Sequence, residues 1–95
     1  MNPNLIPWPS DDMIELGNIA VVRMRDRPYL GFLALTDCGV EVWSHELTQP
    51  IESDGWIISR IAGGHPLKLE ANGMTYRVSS AGVQFLGNKY NQRTV

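Results

Sequence analysis

Three arginines and a tyrosine share one short stretch of this sequence and are well suited to bind a charged partner. Arg23, Arg25 and Arg27 alternate along the chain, and Tyr29 follows at the same spacing. Because side chains of an extended strand alternate between its faces, all four would point the same way. Guanidiniums beside an aromatic ring could bind phosphates and stack on a base, or engage an acidic protein surface. The alternative is a solvated strand end, with the arginines paired to Asp26 or to the acids near the N-terminus.

Trp43 is the second candidate for partner contact. On a predicted strand from Val40 to His45, it shares a face with Glu41 and lies opposite Val40 and Val42. If these valines face the core, Trp43 is at least partly exposed, and tryptophan is enriched at protein interfaces. The alternative is that the N-terminal arm or the loop 46–54 covers the indole locally.

Residues 67–78 predict a β-hairpin. Alternating apolar and polar residues flank Asn72-Gly73, a pair suited to a two-residue type I′ turn because both positions need positive φ. In that register Leu67 faces Val78 and Leu69 faces Tyr76, whereas Lys68 faces Arg77 and Glu70 faces Thr75 on the other side. Lys68 and Arg77 are therefore a candidate nucleic-acid contact.

The residue types that usually perform catalysis are sparse. Cys38 is the lone cysteine, and His45 and His65 stand twenty residues apart. A reactive thiolate needs a base beside it, and zinc sites favour close pairs such as C-x-x-C or H-x-x-x-H, which this chain lacks. We therefore expect no catalytic residue, no metal and no cofactor, and we expect that the protein is not an enzyme.

The elements that position these residues are predicted to be mainly β. Six to seven short strands would form an antiparallel core over residues 18–87, followed by a polar tail, 88–95. At most one short helical turn is expected, Asp12–Leu16, capped by Ser10 or Asp11 and ended by Gly17. Glu46–Asp54 is expected to be a polar loop. The fold is then a small barrel, OB-like or SH3-like, or a sandwich, and we favour a barrel because an open sheet leaves two edges exposed.

An N-terminal extended arm, residues 1–9, precedes this core in a single domain. It holds three prolines within seven residues, which favours extended conformations over a helix. Leu5, Ile6 and Trp8 would bury apolar surface if the arm packed. We expect Leu5 to Trp8 to be ordered and packed, either over the barrel's open edge or across a dimer interface.

Composition limits the class of protein. The 95 residues are 43% hydrophobic and 19% charged, with 8 basic and 10 acidic side chains. This balance argues against a disordered chain and against a generally cationic nucleic-acid coat. A single cysteine, no signal-like N-terminus and no long apolar run lead us to expect a cytoplasmic protein without a membrane span.

These features favour a small non-enzymatic protein that binds a macromolecule by covering part of its surface, with a protein as the preferred partner. In overall character it resembles the inhibitors and accessory proteins that phages and mobile elements encode, a likeness of size and composition. The alternative is a small β-barrel that binds nucleic acid through its arginine cluster and exposed aromatic rings.

Overall fold

The structure, a computed structural model, describes residues 4–25, 31–61 and 66–88. Within these ranges the chain forms ten strands: β1 (Leu5–Ile6), β2 (Met13–Leu16), β3 (Ile19–Met24), β4 (Gly31–Thr36), β5 (Glu41–Trp43), β6 (Ile51–Ser53), β7 (Trp56–Arg60), β8 (Leu67–Ala71), β9 (Met74–Ser79) and β10 (Gly82–Asn88). One 3₁₀ turn, Ser44–Glu46, follows β5. No helix in these ranges is long and apolar enough to cross a membrane.

The strands form two antiparallel sheets, so the predicted mainly β class is confirmed. A six-stranded sheet has the order β1-β10-β9-β8-β7-β6, and a four-stranded sheet has the order β2-β3-β4-β5. The arrangement is sandwich-like, and the preference for a closed barrel was wrong. A barrel was favoured because it leaves no exposed edge strand. In the sandwich, the four edge strands are only two to four residues long, and short edge strands offer little template for aggregation.

The core lies between the two sheets. Each sheet contributes the side chains of one face, as expected for strands that alternate between a buried and an outer side. The buried cluster contains Ile14, Ile19, Val21, Phe32, Ala34 and Val42 from the four-stranded sheet and Trp56, Ile58, Leu67, Leu69, Val78 and Val83 from the six-stranded sheet, with Leu47 beside them.

The hairpin of β8 and β9 has the predicted register. Leu67 lies opposite Val78, Lys68 opposite Arg77, Leu69 opposite Tyr76 and Glu70 opposite Thr75. Asn72 and Gly73 have φ values of 52° and 81°, which is the positive-φ pair that a type I′ turn requires. The local sequence chemistry was sufficient to predict this element.

The helical turn predicted at Asp12–Leu16 was wrong, because Met13–Leu16 is strand β2. Gly17 and Asn18 form a two-residue turn that pairs Leu16 with Ile19, and Gly17 has a φ of 66°. Asp12 also has a positive φ, 58°, which a helix cannot accommodate. Pairing with β3 buries Ile14 in the core, and a lone helical turn would not achieve that.

The loop predicted for Glu46–Asp54 is also partly wrong, because Ile51–Ser53 is strand β6. Asp54 and Gly55 have φ values of 55° and 84° and form a second type I′ turn, to β7. The strand predicted to begin at Val40 starts at Glu41 and ends at Trp43, where the 3₁₀ turn begins. Val40 is exposed and does not face the core.

The N-terminal arm packs on its own domain. Leu5 and Ile6 form the edge strand β1, paired with Gln84 and Val83 of β10. Trp8 then packs against the core cluster. The arm therefore covers an edge of the six-stranded sheet, one of the two placements that we expected. Met1–Pro3 and the tail beyond Asn88 lie outside the described residues.

Candidate functional site

Arg23 and Arg25 point to the same side, as their spacing predicts, and both reach one carboxylate. Arg23 donates hydrogen bonds to Asp12 Oδ1 from Nε at 3.1 Å and from an Nη at 2.8 Å. Arg25 Nε donates to Asp12 Oδ2 at 2.8 Å. This is the alternative in which the arginines pair with an N-terminal acid. Arg27 and Tyr29 lie outside the described residues.

The two guanidiniums change the acidity of Asp12. The hydrogen bond from Arg23 is the largest cause that lowers the pKa of the Asp12 carboxyl below its ordinary value, and Arg25 adds to it, while partial burial opposes both. A hydrogen-bonded carboxylate between two cations is favoured in its charged form. These arginines are therefore partly neutralised by the fold itself.

Arg23 also holds the N-terminal arm in place. Its guanidinium lies 5.3 Å from the centre of the Trp8 ring, within the range of a cation–π contact. A third nitrogen donates to the Ser80 carbonyl oxygen at 3.3 Å, and Trp8 Nε1 donates to the Ser79 carbonyl oxygen at 2.7 Å. The cluster joins the arm, the start of β2 and the β9–β10 turn, which is a structural role.

The remaining predicted site residues lie elsewhere. Lys68 and Arg77 are neighbours on the outer face of the six-stranded sheet, and Lys68 Nζ lies 3.8 Å from Glu70 Oε2. Trp43 is half-buried on the outer face of the four-stranded sheet, with its ring centroid 5.8 Å from that of His45. The structure thus distributes the described candidates over three surfaces.

Trp43 belongs to an apolar surface that the sequence reasoning missed. Strand pairing aligns Met13, Val22, Leu33 and Trp43 in one row across all four strands. The next row contains Ala20 and Leu35.

These side chains alternate with the core residues, so they lie on the side of the sheet away from the six-stranded sheet. We call this surface the apolar outer face: Met13, Ala20, Val22, Leu33, Leu35 and Trp43.

The apolar outer face is separate from the core cluster, although its central residue is buried. Leu33 is only 8% exposed, yet it is not part of the core cluster. Ala20, Val22, Leu35 and Trp43 are half-buried. Met13, at the edge, is 40% exposed. Antiparallel sheets usually present polar side chains on the side turned away from the core. The apolar side chains on this side of the four-stranded sheet therefore call for a functional explanation.

A sequence signal for this face did exist. Phe32–Leu35 is an unbroken apolar run, which is typical of a strand that is covered on both sides. In the described ranges, the core cluster includes one side of this run, Phe32 and Ala34. Leu33 and Leu35, on the other side of the run, belong to the apolar outer face.

Two acidic side chains border the apolar outer face. Glu15 and Glu41 occupy the ends of the row that contains Ala20 and Leu35, and both are exposed. Three strand spacings separate them, or about 14 Å at 4.8 Å a strand. The face therefore has an apolar centre and a carboxylate at each edge of one row.

A cleft of about 380 Å³ lies at the end of the sandwich where three turns meet. Asn18 spans it: its Oδ1 accepts a hydrogen bond from Trp56 Nε1 at 2.7 Å, and its Nδ2 donates to Asp54 Oδ2 at 3.0 Å. These groups satisfy one another and join the two sheets. The cleft is therefore explained by the packing of the turns.

Cys38 and His45 do not contact each other. Hydroxyl groups of Thr36 and Ser53 lie 3.2 and 3.5 Å from the Cys38 sulfur, and these contacts, that of Thr36 first, lower the pKa of the thiol. His45 instead contacts Trp43 and Glu46. In the described ranges, no group of three or more His, Cys, Asp or Glu side chains could hold a metal ion.

Comparison of the chain with protein-family models, with curated proteins and with solved structures gives no match.

Proposed function

We propose that this protein is a non-enzymatic binding protein that covers a surface of a protein partner with its apolar outer face. The observation that carries the proposal is the row of Met13, Val22, Leu33 and Trp43 across all four strands, on the side turned away from the core. Contiguous apolar surface is costly to expose, and soluble proteins use such patches as interaction sites.

The residue types support contact with protein. Tryptophan and methionine are enriched in the centre of protein interfaces, where large side chains exclude water. Trp43 and Met13 stand at opposite ends of the row, so a partner that contacts both spans the width of the sheet. Binding would act sterically, because it would cover part of the partner's surface. A cytoplasmic inhibitor or accessory protein of a phage or mobile element would act in this way.

The nucleic-acid alternative has weaker support. Arg23 and Arg25 share the Asp12 carboxylate, and Lys68 and Arg77 lie on the other sheet. A continuous track of free cations would favour phosphate binding more strongly. Fluorescence titration with single-stranded and duplex oligonucleotides at low salt is expected to detect no binding at tens of micromolar.

The test is capture of a partner from a lysate of the source cells by the immobilised protein. The variant Met13→Lys/Trp43→Ala changes both ends of the row, and Ile57→Lys is a matched control because Ile57 is 38% exposed on the other sheet. We expect a stoichiometric partner with the wild type and with the control, and its loss with the double variant. Equal capture by all three proteins, or capture of no stoichiometric partner, contradicts the proposal.

A further inference from the structure

We infer that the partner presents an apolar protein surface flanked by lysine or arginine, and that Glu15 and Glu41 select it. This inference rests on the proposed function, because it concerns the same apolar outer face. The two carboxylates stand at opposite edges of the row beside Met13, Val22, Leu33 and Trp43. A partner that covers the row must bring its own groups close to both of them.

The charges of the chain are divided unevenly between its halves. Residues 1–50 contain seven acidic and three basic side chains, whereas residues 51–95 contain three acidic and five basic side chains. The four-stranded sheet belongs to the acidic half. Its described arginines, Arg23 and Arg25, are both bound to Asp12, and Arg23 lies on the core side, opposite Phe32. They therefore do not neutralise the outer face.

Glu15 and Glu41 remain available for a partner. Neither carboxylate forms an ion pair with a cation in the part of the chain that the structure describes. Complementary charge at the rim of an interface selects partners and speeds encounter, whereas like charges repel. A cation placed at each edge of the apolar centre matches this pattern.

A second copy of the chain fits the face less well. Two copies docked by the same face would bring acidic edges together, which is unfavourable. A copy docked by its six-stranded sheet would offer Lys68 and Arg77. That head-to-tail contact leaves one apolar outer face and one six-stranded sheet free at the two ends of the pair, so it would continue into a polymer. The observations therefore favour a different, basic protein.

The experiment uses two fluorescein-labelled peptides of twelve residues, one alternating leucine with lysine and the other alternating leucine with glutamate. Fluorescence anisotropy measures their binding to the full chain at about 0.15 M salt. We expect the wild type to bind the lysine peptide about tenfold more tightly than the glutamate peptide. Two exposed ion pairs near the upper end of their usual strength provide a ratio of this size. In Glu15→Lys/Glu41→Lys, we expect the order of affinities to reverse.

The matched control is Glu52→Lys/Glu70→Lys, which gives the same net charge and changes acids of the six-stranded sheet. We expect it to keep the wild-type preference. An equal change in both double variants would show that net charge alone acts, and would overturn the inference. So would failure of the wild type to bind either peptide, or sedimentation of the wild type as a dimer or polymer. The lysate experiment judges the proposed function separately, because it depends on Met13 and Trp43 and not on the two glutamates.

Discussion

The indole of Trp8 lies parallel to the ring of Phe32, with the ring centroids 6.0 Å apart and the planes within 5°. Phe32 belongs to the core and to β4 of the four-stranded sheet. Trp8 follows β1, the edge strand of the six-stranded sheet. The contact between these two rings therefore joins the sheets across the sandwich, and it makes the N-terminal arm part of the core.

The first prediction concerns this contact. Trp8→Ala should lower the free energy of unfolding by about 3 kcal/mol, because it removes a large aromatic side chain that packs on the core. Trp8→Phe keeps a ring over Phe32 and loses the bond to the Ser79 carbonyl, so its cost should be about 1 kcal/mol. Urea denaturation monitored by circular dichroism measures both. An alanine variant as stable as the wild type would show that the arm does not stabilise the domain.

The second prediction concerns Gly82, where the arm crosses β10. A Cβ at this position would collide with the Ile6 carbonyl oxygen, and Gly82 has a φ of 133°. Gly82→Ala should therefore displace β1 and destabilise the protein by at least about 2 kcal/mol, the sum of backbone strain and lost arm contacts.

Gly39→Ala is the matched control for Gly82→Ala. Gly39 also has a positive φ, 91°, but open space surrounds its Cβ direction, so only the conformational cost of about 1 kcal/mol remains. Deletion of residues 1–9 should lower stability, and in that background Gly82→Ala should keep only its backbone-strain cost. Equal costs of Gly82→Ala with and without the arm would contradict the assignment of the collision.

The third prediction is an acid dependence that arises from Asp12. Its pKa is lowered in the folded protein from the ordinary value of 3.8, so the unfolded chain binds this proton more readily. The ion pairs with Arg23 and Arg25 should therefore contribute fully above pH 3.8, and the contribution should be lost as the pH falls through the lowered folded value.

Urea unfolding between pH 2 and 6 tests this dependence. Asp12→Asn should be less stable than the wild type near pH 6, and the difference should shrink as the pH falls. Arg23→Gln/Arg25→Gln keeps the carboxylate but removes its cations, and it should flatten the same part of the profile. A difference between the wild type and Asp12→Asn that stays constant over this range would refute the linkage.

The fourth prediction concerns the β8–β9 turn. Gly73→Val places a β-branched residue at a φ of 81°, which should cost about 2 kcal/mol or more because left-handed backbone is unfavourable for such residues. Thr75→Val, on the adjacent strand, keeps an extended backbone and should change stability little. The melting temperatures of the two variants check this, and an unchanged value for Gly73→Val would mean that the turn differs.

Local chemistry in the sequence determined several elements of the fold. Asn72-Gly73 predicted a hairpin with its register because adjacent positive-φ positions suit few other residue pairs. Alternating spacing also placed Arg23 and Arg25 on one side of the chain. The same rules could have identified the Asp54-Gly55 turn, whose flanking strand Ile51–Ser53 was too short and polar to be recognised.

Other features depended on contacts between distant parts of the chain. Met13–Leu16 has weak local preference, and pairing with β3 makes it a strand that buries Ile14. That hairpin also brings Asp12 to Arg23 and Arg25, so the arginines form structural ion pairs.

The apolar outer face was also determined partly by the local sequence and partly by contacts between distant parts of the chain. The sequence alone determined that Phe32–Leu35 is apolar on both sides, which is a property of neighbouring residues. Which side meets the other sheet depends on how the two sheets pack, and a one-residue shift in register would exchange the core and outer sides. Only the tertiary structure decided that Phe32 and Ala34 enter the core while Leu33 and Leu35 face outward beside Trp43, because burial is a property of the whole fold.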